Sequence, residues 1–184
     1  HILELKGLKI CLNELHLYDV HNKLIQFLAM SKKKYYNWNQ IQKMSVQLAD
    51  TVENKFYTHI IGVSRGGCIP ATIISHKLDI PMIAINISTR DNIAELIPNF
   101  PIGPGDGVNY IDQYRFLIVD DINDTGYTFK RLREVMSHRG ARYVDYAVLI
   151  DNEPSDFDVH YSAEKINKDK DPRWIVFPWE TNNE

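Results

Sequence analysis

The chain has 184 residues, 44% of them hydrophobic, and a formal net charge of −3. That is enough apolar content for one compact domain with a sizeable core. The slight acidity offers no basic footprint for nucleic acid, so an anionic partner has to be held by local donors. Two cysteines, Cys11 and Cys68, stand far apart without metal-ligand spacing, and the seven histidines form no His-x-His or His-x-x-x-His cluster. This argues against a zinc site and for a reducing compartment. No apolar run approaches membrane-spanning length and no signal peptide is evident, so the expectation is a cytoplasmic protein with no membrane partner.

In chain order, residues 1–29 carry a leucine-rich patch (Leu8, Ile10, Leu12, Leu15, Leu17, Leu24, Ile25, Phe27, Leu28) without clear caps. They read as an N-terminal extension, with a helical arm as one form of it, set apart from a domain at 30–184. Asn39 is a candidate N-cap, followed by the helical stripe Ile41, Met44, Leu48 and Val52. A short buried strand at His59–Val63 runs into Ser64-Arg65-Gly66-Gly67, and helical spacing follows from Ile69 to Leu78. The next strand is Pro81–Ile87. Residues 88–114, rich in proline and glycine, read as a long loop of the kind that forms lids. A strand at 116–119, a helix at about 127–138, a turn at Gly140 and a strand at Tyr146–Ile150 come next. A polar stretch at 151–172 then leads to Trp174-Ile175-Val176-Phe177-Pro178-Trp179-Glu180. Strands alternating with helices predict an α/β fold with a single, mostly parallel sheet and right-handed crossovers.

Two stretches carry chemistry. In Phe116-Leu117-Ile118-Val119-Asp120-Asp121-Ile122-Asn123-Asp124-Thr125-Gly126-Tyr127-Thr128, an apolar strand meets paired acids and then a Thr-Gly turn where a helix begins. Ligands bind at the carboxyl ends of such strands, and free N–H groups at a helix start attract anions. The acids suit ribose hydroxyls or a divalent metal. In Ser64-Arg65-Gly66-Gly67, two glycines allow backbone N–H groups to converge on an anion, and Arg65 adds a planar donor fork. Both turns end strands of one sheet, so they can face each other across one cleft.

Residues 116–128 resemble the phosphoribosyl diphosphate (PRPP) loop of the type I phosphoribosyltransferases. That pattern is an apolar strand, Asp-Asp or Glu-Asp, two residues, Asp-Thr-Gly, one residue, and Thr or Ser. The resemblance spans about residues 35–181 and implies the phosphoribosyltransferase fold with a flexible lid loop and a small C-terminal hood from about 151 to 184. It implies that Ser64, Arg65, Gly66 and Gly67 hold the diphosphate, with a non-proline cis peptide in the Ser64–Gly66 segment, and that Arg90 reaches the diphosphate from the lid. By the same resemblance Asp120 and Asp121 hold the ribose hydroxyls directly or through Mg²⁺. Asp124 acts as base toward the purine imidazole nitrogen, and Thr125, Gly126, Tyr127 and Thr128 cradle the 5′-phosphate.

The C-terminal segment resembles the hood of bacterial and archaeal purine phosphoribosyltransferases, especially the xanthine–guanine type. This implies that Trp174 stacks on the base, Ile175 supplies a main-chain contact and Glu180 helps hold a metal, while Trp179 packs. The chain departs from the pattern at one point. Those enzymes place a lysine just after the strand equivalent to 147–150, where it reads the 6-oxo group. Here Asp151-Asn152-Glu153-Pro154 stands instead, with Asn152 in or near the lysine position and Asp151 and Glu153 as possible acceptors for an exocyclic amine. Lys165, Lys168 and Lys170 follow, and spacing assigns none of them to the site.

The implied activity is transfer of 5-phosphoribose from PRPP to a purine, with Mg²⁺, for purine salvage in a homo-oligomer, dimer or tetramer. The alternative is a non-catalytic PRPP- or nucleotide-sensing regulator with the same fold. Retention of Arg65, Asp120, Asp121 and Asp124 favours the enzyme. A phosphatase of the haloacid dehalogenase type needs Asp-x-Asp, and Asp120 and Asp121 are adjacent.

Overall fold

A computed structural model of the chain describes residues 2–5, 8–11, 32–87 and 110–180. The strands β1 (Ile2–Leu5) and β2 (Leu8–Cys11) pair antiparallel, so these residues of the N-terminal extension form a ribbon and not a helical arm. The central element is a five-stranded sheet in the order β5-β4-β6-β7-β8. Its strands are β4 (His59–Val63), β5 (Met82–Ile85), β6 (Arg115–Asn123), β7 (Tyr143–Asn152) and β8 (Tyr161–Ile166). Every neighbouring pair in it is parallel.

Parallel strands need crossovers. Helix α2 (Cys68–Leu78) supplies the one from β4 to β5, and α3 (Tyr127–His138) the one from β6 to β7. Alternation along β6 buries both faces of the sheet. Leu117 and Val119 enter one core with Ile41, Leu48, Ile74, Ala147 and Leu149. Phe116 and Ile118 enter the other with Phe129, Leu132, Val135, Met136 and Val148. A strand buried on both sides reads as a continuous apolar run, which is the pattern of residues 116–119.

Helix α1 (Trp38–Val52) covers the first core. Its cap is Asn37 rather than Asn39: the Asn37 side chain accepts from the Gln40 N–H and the Gln40 side chain accepts from the Asn37 N–H, each at 2.9 Å. Gln40 and Gln42 stand three residues beyond Asn37 and Asn39, so both positions have the capping pattern. Starting the helix at Trp38 sets that ring 5.9 Å from Trp179.

The polar stretch at 151–172 contains a sheet strand, β8. The hood is built from two distant pieces, because β9 (Trp174–Val176) pairs in parallel with β3 (Lys33–Tyr35) in a separate two-stranded sheet. Phe177 stacks on Trp179 at 4.7 Å and on Tyr36 at 6.0 Å, which closes the hood over α1. No helix among the described residues is long and apolar enough to cross a membrane.

Candidate active site

The carboxyl ends of β4 and β6 open into a cleft of about 730 Å³. It is lined by Ser64, Arg65 and Gly66 from one turn, Asp120, Asp121 and Thr128 from the other, and Trp179 and Glu180 from the hood. The two turns therefore share one crevice. The peptide between Ser64 and Arg65 is cis, within the segment where the resemblance places one. Arg90 and the rest of residues 88–109 lie outside the described residues.

Gly66 and Gly67 allow a close approach of the β4–α2 turn to β6. A Cβ on Gly67 would stand 2.5 Å from the Val119 carbonyl and 2.6 Å from the Asp120 Cα. Helix α2 starts directly after Gly67, with no side chain capping it. The positive end of its dipole thus borders the cleft.

Asp120 and Asp121 belong to β6 rather than following it, since the ladder to β7 continues to Asn123. Burial, reinforced by the neighbouring Asp121 charge, holds the Asp120 carboxyl well above its ordinary range. Burial likewise pushes Asp121 up to about 6, and the Glu180 charge adds to it. Glu180 is itself fixed, its Oε2 accepting from the Phe177 N–H at 2.9 Å. Two adjacent carboxylates, Asp120 buried and Asp121 partly buried, whose charges burial disfavours, fit a hard divalent cation. Among the described residues no cluster of three or more His, Cys, Asp or Glu side chains could hold a metal unaided. This donor set therefore fits an ion of the Mg²⁺ kind, which takes one or two carboxylates and completes its shell with water and substrate phosphate.

The second turn is shaped from below. The Asp124 carbonyl accepts from Asn152 Nδ2 at 2.9 Å, and the Thr125 carbonyl accepts from the Asp156 N–H at 3.3 Å. In a trans peptide unit the C=O and N–H point opposite ways, so the Thr125 and Gly126 N–H groups face away from the 152–156 segment. Gly126 has φ +83°, and a Cβ there would stand 2.7 Å from the Phe157 nitrogen, so glycine is required for both reasons. Helix α3 starts immediately afterward without a side-chain cap, which leaves a helix N-terminus available to an anion.

Beneath this turn lies a buried network that the sequence reading missed. Asn123 Nδ2 donates to Asp151 Oδ1 and to the Phe157 carbonyl, both at 2.8 Å, while Ser155 Oγ donates to Asn123 Oδ1 at 2.9 Å. Asp151 is thereby committed to Asn123 and buried. Glu153 accepts from Asn167 Nδ2 at 3.1 Å. Among the described residues, neither acid lines the main cleft or the cavity that Asp124 lines.

A smaller cavity of about 140 Å³ adjoins the cleft, sharing Asp121 and Glu180 with it, and is also lined by Asp124, Lys168, Trp174, Ile175 and Phe177. Trp174 is half exposed there, with the Lys168 ammonium over its ring at 5.8 Å from the centroid. Asn152, expected beside a base, instead ties two backbones together: Nδ2 donates to the Asp124 carbonyl, and Oδ1 accepts from the Lys168 N–H at 3.0 Å. Lys168 Nζ reaches Asp124 Oδ2 at 2.7 Å. Nothing in the spacing announces that contact, because Asp124 and Lys168 sit on separate turns.

A parallel α/β sheet whose strand ends β4 and β6 open into one cleft puts that cleft where folds of this class bind their ligands. The phosphoribosyl transferase domain model matches residues 31–183. The xanthine-guanine phosphoribosyltransferase of Desulfotalea psychrophila is 30% identical over 155 residues, 80% of this chain and 86% of that protein. The enzyme of the same name from Gluconobacter oxydans is 29% identical over 153 residues, 78% of this chain and 82% of that one. Among solved structures, the purine phosphoribosyltransferase of Pyrococcus horikoshii superposes with a TM-score of 0.66 at 32% identity, over 83% of this chain and 97% of that one. The chain belongs to the phosphoribosyltransferase family, a family of transferases.

Proposed function

We propose that the protein transfers 5-phosphoribose from PRPP to a purine base, a 6-oxopurine such as xanthine, guanine or hypoxanthine, giving a nucleoside monophosphate and diphosphate for purine salvage. The observation that carries this reading is the shared cleft: Arg65 and Thr128 line it together, and the Trp174 cavity opens beside it. The purine assignment is supported by the names of the relatives, which are purine phosphoribosyltransferases along most of this chain.

Departure of diphosphate from the anomeric carbon leaves the sugar with oxocarbenium character and places negative charge on the leaving group. Arg65 and the N–H groups around Gly66 and Gly67 meet that charge with fixed donors. The Thr125–Thr128 turn and the α3 N-terminus hold the 5′-phosphate, so the sugar is fixed at both ends and the anomeric carbon faces the base cavity. Asp120 and Asp121 hold the ribose hydroxyls, directly or through a bound Mg²⁺, with Glu180 placed to add an oxygen ligand. Such an ion, held by these carboxylates, would supply positive charge beside the phosphates. Trp174 stacks on the base, Ile175 offers backbone polar groups, and Asp124 accepts the ring N–H proton as the nitrogen attacks.

The test is diphosphate release with Mg²⁺ and PRPP across xanthine, guanine, hypoxanthine, adenine and pyrimidines. Release with a purine, together with formation of its nucleoside monophosphate, is the expected result. PRPP binding without turnover for every base would point to the sensing regulator instead.

A further inference from the structure

We propose that Lys168, positioned by Asn152, is the donor that selects a carbonyl-bearing purine edge, so that base specificity is read from the hood turn rather than from the end of β7. The inference rests on the transfer reading and deepens it.

Lys168 follows β8 and precedes β9 in the turn that joins the sheet to the hood. Of Lys165, Lys168 and Lys170, it is Lys168 that lines the cavity with Asp124 and Trp174; Lys165 lines a separate cavity with Lys34 and Glu164. Its ammonium stands 2.7 Å from Asp124 Oδ2 and 5.8 Å from the Trp174 ring centroid. A base held in this cavity beside Trp174 would thus meet an acceptor, Asp124, and a donor, Lys168, next to each other.

That pair has the polarity of one purine edge. A 6-oxopurine carrying its imidazole proton on N7 presents a donor beside an acceptor, N7–H for Asp124 and O6 for Lys168. A 6-aminopurine presents two donors there, and lysine has no acceptor to offer the second. A 6-aminopurine would leave the lysine donor facing another donor, whereas a 6-oxopurine adds a charge-assisted hydrogen bond. The existing ion pair is partly solvated, with side chains 20% and 42% exposed, so parting it to admit a base costs little.

Asn152 stands in or near the position where the resemblance implies a lysine, and its amide is engaged by two backbones. One end holds the Asp124 carbonyl and the other holds the Lys168 N–H. A second tie joins the same segments, Asn167 Nδ2 to Glu153 Oε2 at 3.1 Å. The amide that replaces the β7 lysine is therefore the clamp that fixes Lys168 relative to Asp124.

The experiment compares wild type, Lys168→Met, Lys168→Arg and Asn152→Ala, measuring kcat and KM for hypoxanthine, guanine, xanthine and adenine, with base-free PRPP binding by calorimetry. Lys168→Met is expected to lower kcat/KM for the preferred oxopurine by about 10- to 100-fold, the worth of a charge-assisted hydrogen bond. Its activity on adenine should not fall in step, so the oxo-to-amino ratio shrinks. Lys168→Arg should recover part of the loss. Asn152→Ala should raise the oxopurine KM and shrink the same ratio by less, and PRPP affinity should hold in both Lys168 variants. An unchanged ratio in Lys168→Met overturns the proposal, as does loss of PRPP binding in that variant. A wild type that prefers adenine overturns it while leaving phosphoribosyl transfer intact, whereas a wild type inactive on every base removes the transfer reading and this inference with it.

Discussion

The Asp121 carboxylate lies against Gly66 so closely that a Cβ on the glycine would stand 1.7 Å from Oδ2. The contact joins the turn after β4 to the acid pair of β6, which makes the cleft a single site. It also separates two neighbouring glycines by consequence. Gly66→Ala meets the end of a side chain that can rotate, whereas Gly67→Ala meets the Val119 carbonyl and the Asp120 Cα. Gly66→Ala is expected to reduce PRPP turnover with a small change in melting temperature. Gly67→Ala should destabilise the fold itself by about 1–3 kcal/mol, the range for forced overpacking. Thermal melts of the two variants alongside PRPP turnover check this; equal loss of stability in both would contradict it.

Arg65 supplies the charged fork at the cleft wall formed by the first turn. Arg65→Ala should weaken PRPP and diphosphate to a similar degree, by about 1.5–3 kcal/mol, while ribose 5-phosphate binding is kept. Calorimetric titration of the three ligands reads this directly, and unchanged diphosphate affinity would remove Arg65 from the site.

Asp124 is assigned to the proton of the incoming base. Asp124→Asn should lower kcat by about 10²–10⁴-fold, the usual worth of a positioned general base, with PRPP affinity near wild type. A parallel loss of PRPP affinity, measured by titration without base, would argue for a phosphate or folding role.

Trp174 is half exposed and lines the smaller cavity, with Lys168 over its ring. Trp174→Ala should raise the base KM by about 1–3 kcal/mol, as for stacking of a base on an aromatic ring, and leave the PRPP KM alone. A base KM that does not move would make the residue part of the hood packing.

His59 gives a pH dependence unconnected with the cleft. Its ring packs on Tyr114 at 4.9 Å, and burial lowers its pKa below 6.5. The unfolded chain therefore takes up the proton first as pH falls. The stability that neutral His59 contributes is complete above the unfolded pKa and is lost as pH drops through 6.5 toward the folded value. Asp120 and Asp121, raised by burial, act in the opposite sense but are common to wild type and variant. Denaturant melts of wild type and His59→Gln should show the wild type losing more stability on acidification from about pH 7.5 to pH 5. Identical slopes would exclude His59 as the cause.

The parts of the site that one continuous segment builds were legible. The apolar run, paired acids and Thr-Gly turn of 116–128 occur in the order the structure uses, and a parallel sheet brings Ser64–Gly67 beside them. What escaped was built across distance. β8 is half-buried and mixed in composition, so Tyr161–Ile166 reads as polar loop. β3 has three residues, two of them lysine, and is a strand only because β9 pairs with it. Asn152, Lys168 and Asp124 meet through turns on separate strands, a relation that no spacing encodes.

The central claim is that the two turns grip opposite ends of one doubly phosphorylated sugar. Competition calorimetry tests it most directly, with PRPP titrated into the wild-type protein in the presence of Mg²⁺ and either ribose 5-phosphate or diphosphate. Each should displace PRPP, and the two should bind together without displacing each other. Displacement of PRPP by one of them alone would contradict the account.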